Sequence, residues 1–185
     1  MAKFSGWKKK YSYLDDYKKG MDGTYVYYGR HYLFQGTEQE FLRYKWFLGI
    51  TDLLLIALFV VSGCADGKAI WRMWYVILPF AVEATAIFLL IWKSITLIFE
   101  KQPVKAYIYK KSVPWFQPVA IILMIACLLS FCAAGICMLV NPEEVQVSAC
   151  ILYLVLKLLM AGISLALTKV LKRSSWELDP SEEME

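Results

Sequence analysis

The sequence predicts an all-α integral membrane protein, a four-helix transmembrane bundle preceded by a small cytoplasmic element. Two observations carry this expectation. Hydrophobic residues make up 59% of the 185 residues, against about 45–50% in ordinary soluble domains. The excess falls in four runs, Trp46–Cys64, Trp74–Trp92, Phe116–Val140 and Ser148–Thr168. Each is close to the roughly 20 residues a helix needs to cross a bilayer. Helices are required because backbone groups in lipid must bond within their own segment. Barrel strands would instead alternate over about 10 residues.

A third observation orients the spans. Nine of the 20 Lys and Arg residues precede the first span: Lys3, Lys8, Lys9, Lys10, Lys18, Lys19, Arg30, Arg43 and Lys45. Lys93, Lys101, Lys105, Lys110 and Lys111 lie between spans two and three, and Lys169, Lys172 and Arg173 follow span four. The two remaining connections hold only Lys68 and Arg72. The excess of positive charge on cytoplasmic segments then places both termini and the middle loop in the cytoplasm. Trp46, Trp71, Trp74, Trp92 and Trp115 flank the spans, where indole rings favour the headgroup layer. The net charge of +4 is accounted for by topology and lipid headgroups, so no nucleic-acid partner is expected.

Residues 1–36 are charged and tyrosine-rich, without an early apolar core, so the first span is expected to act as its own uncleaved insertion signal. Thr24–Tyr28 and His31–Gln35 are rich in β-favouring side chains and flank Gly29-Arg30, which suggests a β-hairpin. A lone hairpin is marginal in water, so Tyr25, Tyr27, Tyr28, Tyr32 and Phe34 are expected to dock a partner. Residues 37–173 form the membrane domain. Thr37 and Glu40 have the spacing of a capping box and should start a helix running into span one, which Ser62-Gly63 ends. Val104–Tyr109 (VKAYIY) alternates and is a candidate third strand. Pro103, Pro114 and Pro118 are expected to punctuate the middle loop and the entry to span three, and Asn141-Pro142 makes the turn before span four. The acidic tail 174–185 is expected to be solvated, without a fold of its own.

Chemistry concentrates in three ionisable residues within apolar runs: Asp52, Glu83 and Lys157. A bare charge in hydrocarbon costs roughly 3 kcal/mol on insertion scales, so such residues turn to a bundle interior and a partner. Helical spacing puts each on a stripe of small or polar residues. Gly49, Phe59 and Gly63 accompany Asp52; Pro79 and Ala86 accompany Glu83; Ala161 and Ser164 accompany Lys157. Span three offers Ala126, Ser130, Ala133 and Cys137. Small residues let membrane helices approach closely, so these stripes should face inward. Glu83 and Lys157 each lie nine residues inside their run, about 13 Å at 1.5 Å per residue. They are expected to pair, with Asp52 nearby.

The five cysteines, Cys64, Cys127, Cys132, Cys137 and Cys150, contain no C-x-x-C and are odd in number, so full internal pairing is impossible. One disulfide among Cys64, Cys137 and Cys150 at the outer face stays open. His31 is the only histidine and has no ligand cluster beside it. No phosphate-binding loop or nucleophile motif appears, so neither cofactor, metal nor catalysis is expected. The sequence therefore points to a non-enzymatic accessory or structural subunit of a membrane assembly, in contact with the lipid bilayer and with a membrane-protein partner or a second copy. The alternative is a small proton- or cation-coupled transporter using Asp52 and Glu83. Small size and minimal outer loops point to a bacterial cell membrane.

Overall fold

The structure is a computed structural model that describes residues 17–19, 24–64, 72–143 and 146–179. Thr37 sets the start of the first long helix. Its Oγ1 accepts from the Glu40 backbone N–H at 3.3 Å, and Glu40 Oε2 accepts from the Thr37 N–H at 2.9 Å. This reciprocal cap satisfies two donors that a helix start otherwise leaves open. Residue 36 is glycine for a local reason: a Cβ there would lie 2.6 Å from Glu40 Oε2.

From this cap α1 (Glu38–Cys64) crosses the bundle. It is followed by α2 (Trp74–Ile98), α3 (Ala106–Val140) and α4 (Val147–Arg173). All four are long and apolar enough to cross a membrane. Around the bundle α1 packs on α2, α2 on α3, α3 on α4, and α4 back on α1, the closed antiparallel arrangement of an up-down bundle. Hydroxyls along the helices bond back to their own backbone. Thr85 donates to the Ala81 carbonyl (3.0 Å), Thr96 to Trp92 (2.8 Å) and Ser164 to Met160 (2.9 Å), which keeps polar groups satisfied where water is absent.

Span three differs from expectation. Its helix begins at Ala106 and carries Pro114 and Pro118 inside it. Ile108, Ser112 and Phe116 recur every four residues and are all buried, so one face of this extension packs inward and holds the helix together across the prolines. Lys93 Nζ adds a bond to the Lys111 carbonyl at 2.7 Å. Only Val104–Lys105 of the alternating segment is a strand.

The N-terminal strands exist but do not form the expected hairpin. β1 (Tyr17–Lys19) pairs antiparallel with β2 (Tyr25–Tyr27). β3 (His31–Phe34) is the centre of a separate sheet, between β4 (Val104–Lys105) and β5 (Trp176–Leu178). The tail 174–185 was expected to be solvated throughout, yet Trp176–Leu178 is this last strand. The physical reason is alternation: Trp176 and Leu178 are half-buried and Glu177 between them is exposed. Phe34 anchors the layer against α1. Its ring lies 5.8 Å from Phe41, 5.6 Å from Tyr44 and 5.4 Å from Trp176. Tyr109 of α3 stacks on Tyr32 at 4.0 Å and meets Trp176 at 5.4 Å. The sheet thus ties the segment before α1, the α2–α3 connection and the segment after α4 to one end of the bundle.

Leu33 and Glu177 face each other in this ladder. Cysteines introduced at both positions should therefore link under mild oxidation, as read by mass spectrometry of the joined peptides. Failure to link in the folded protein would contradict the pairing.

Candidate functional site

Glu83 sits mid-way along α2 and Lys157 mid-way along α4, and neither has any exposed surface. Lys157 Nζ and Glu83 Oε2 form an ion pair and hydrogen bond. Each of the other two helices adds one hydroxyl. Ser130 of α3 donates to Glu83 Oε1. Ser62 of α1 accepts from Lys157 Nζ at 3.2 Å and donates to the Phe59 carbonyl at 2.8 Å. All four helices thus converge on two opposite charges, and both carboxylate oxygens have a donor.

The ammonium has aromatic walls. The rings of Phe80, Tyr153 and Phe59 lie 4.7, 4.8 and 5.6 Å from Lys157 Nζ. Ring faces attract a cation at such distances, and more strongly where water is excluded. Phe59 and Phe80 also stack on each other at 4.4 Å, which closes the α1–α2 side. Along the bundle axis the pair lies between two apolar clusters. One holds Val76, Ala133, Ala134, Cys137, Cys150 and Tyr153. The other runs from Ala86, Cys127 and Met160 toward the sheet end. On α2, α3 and α4 the polar layer falls in the gap between the two.

Asp52 does not join this cluster. Ser62 is the α1 residue at the level of the pair, ten residues beyond Asp52 or about 15 Å along a helix. Asp52 instead lies beside Ser94 of α2, eleven residues from Glu83 and nearer the sheet end. It is 8% exposed. The expected trio is therefore one pair and one separate carboxylate.

The five aromatic residues expected to dock a partner also divide. Phe34 and Tyr32 pack within the protein's own sheet layer, as described. Tyr27 turns inward, with its ring 5.2 Å from His31 and 5.8 Å from Tyr107. Tyr25 and Tyr28 face outward, 69% and 66% exposed. The five thiols are free. Among the described residues, no three His, Cys, Asp or Glu side chains are placed to hold a metal ion.

Fold and site together define a small multi-pass membrane protein built round a buried ion pair. The chain matches no protein-family model, no curated protein and no solved structure in the comparisons made.

Removing one partner of a buried pair strands the other, which costs about 3–5 kcal/mol. Lys157→Met should lower stability by about that amount in a detergent-solubilised unfolding titration. Ser130→Ala leaves the pair intact and should cost about 1–3 kcal/mol. Equal, small losses for both would contradict the central place given to the pair.

Proposed function

We propose that this protein is a non-enzymatic structural or accessory subunit of a membrane assembly, in which the Glu83–Lys157 pair fixes helix register. The observation that carries this reading is the closure of the pair. Proton or cation relays need a carboxylate that water or an ion reaches. Glu83 has both oxygens bonded and no exposed surface, and apolar layers flank it on both sides. Intramembrane charges also serve as functional groups in transporters; here the charge is neutralised by a partner fixed on the opposite helix.

The distribution of Lys and Arg supports a cytoplasmic position for the sheet end of the bundle, and with it for both chain ends. Small size and short outer connections favour a bacterial cytoplasmic membrane. Partner contact falls to the cytoplasmic face, where Tyr25 and Tyr28 are presented, or to the lipid-facing helix sides. Exposed aromatic residues of this kind are enriched at protein contacts.

Two measurements test the reading together. Proteoliposomes of the purified chain should show no pH-driven cation flux above protein-free vesicles. In mild detergent the chain should run in a complex larger than the monomer, and Tyr25→Ala with Tyr28→Ala should reduce that complex. A flux abolished by Glu83→Gln would establish the transporter alternative instead.

A further inference from the structure

A second surface feature lies at the sheet end of the bundle, away from the ion pair. A groove of about 480 Å³ opens to the outside between α1 and the end of α2. It is lined by Leu42, Lys45, Trp46, Gly49, Ile50 and Leu53 of α1 and by Ile98 of α2. Gly49 lies in the floor. A Cβ there would meet only Ile98 Cδ1, at 3.6 Å, so close helix packing does not require the glycine; its missing side chain leaves the groove open. From Lys45 to Leu53 the groove descends eight residues, about 12 Å into the bilayer at 1.5 Å per residue.

Among the described residues, the only charged one lining the groove is Lys45. Its Nζ donates to the Glu100 carbonyl and lies 4.5 Å from the Phe41 ring centroid, which holds it at the mouth. An ammonium has three donors, so two N–H groups remain for a ligand. The Glu100 carboxylate lies 3.5 Å from Lys105 and also attracts Lys45, without forming an ion pair within contact distance of it. Trp46 is 66% exposed, as expected for an indole at the headgroup layer.

We infer that this groove is a binding site for one anionic phospholipid, its acyl chain against Gly49, Ile50 and Leu53 and its phosphate on Lys45. The charge at the mouth and the apolar floor below it match the two ends of such a molecule. An apolar partner helix would fill the floor but would give the two remaining Lys45 N–H groups no acceptor. Negative lipids concentrate in the cytoplasmic leaflet, where a lysine near the surface contributes about 1 kcal/mol of attraction. The leaflet assignment rests on the proposed orientation, but binding itself does not, so the two fail separately.

Native mass spectrometry of the intact protein in detergent tests this with two probes of identical acyl chains, phosphatidylglycerol and phosphatidylcholine. The wild-type chain should retain one phosphatidylglycerol in preference to phosphatidylcholine. Lys45→Gln keeps a donor for the Glu100 carbonyl and removes the charge. It should weaken phosphatidylglycerol retention about fivefold, the equivalent of that single-lysine contribution, and Lys45→Arg should restore it. Gly49→Leu, which fills the floor without breaking the helix, should reduce retention of both lipids. Equal retention of the two lipids by the wild type overturns the site. So does a Lys45→Gln protein that melts at the wild-type temperature and keeps the preference.

Discussion

A positive charge in the middle of one membrane helix and a negative charge in the middle of another cannot both face lipid. The contact of Lys157 with Glu83 answers that constraint, and the arrangement of the four helices depends on it. Insertion of a lone Lys or Glu at mid-bilayer depth is costly. Turning both inward to the same point neutralises them, and the remaining bonding capacity is met by Ser130, Ser62 and three aromatic rings. Each helix contributes to this layer. Sliding or rotating any one of them would separate a charge from its partner or from its hydroxyl. Apolar contacts above and below supply attraction without direction. The ion pair supplies direction.

The end of the bundle that carries the strands uses a different device. There β3 is paired on both sides, by strands from the α2–α3 connection and from beyond α4. Aromatic rings of Phe34, Tyr44, Tyr109 and Trp176 seal this layer onto the helix ends. The sheet gathers three segments far apart in the chain, and these are the segments richest in lysine. Charge-based topology and sheet pairing are independent physical effects, and both assign these segments to one side of the membrane.

Much of this was legible in the residues. The helix start at Thr37 is written in three-residue spacing, a purely local pattern. The four spans are written in hydropathy, because lipid imposes one requirement on a whole segment. Equal distances of Glu83 and Lys157 from their span starts carry the depth match. Asp52 was expected near the pair because it too lies on an inward stripe, but a stripe fixes the direction a side chain faces and not its depth. The level of the pair instead falls at Ser62, two residues before α1 ends. Strand pairing was not legible either. Tyr25–Tyr27 and His31–Phe34 each look like strands, but the first pairs with Tyr17–Lys19 just upstream and the second takes partners about 70 and 140 residues away in sequence. Ser62 and Ser130 carried only a weak signal, as small residues on the inward stripes. Their role emerges only once the charges they serve are in place. Pro114, expected to lie in the loop ahead of the span, is inside the helix, since packing of Ile108, Ser112 and Phe116 outweighs the local preference to break.

The direct test of the ion pair is charge reversal. Glu83→Lys alone and Lys157→Glu alone each place two like charges in one dry site, and each should prevent stable folding or lower the melting temperature sharply. The double variant Glu83→Lys, Lys157→Glu restores opposite charges at the same place, and its unfolding midpoint in detergent should return most of the way to that of the original chain. A double variant no more stable than the worse single one would contradict the account.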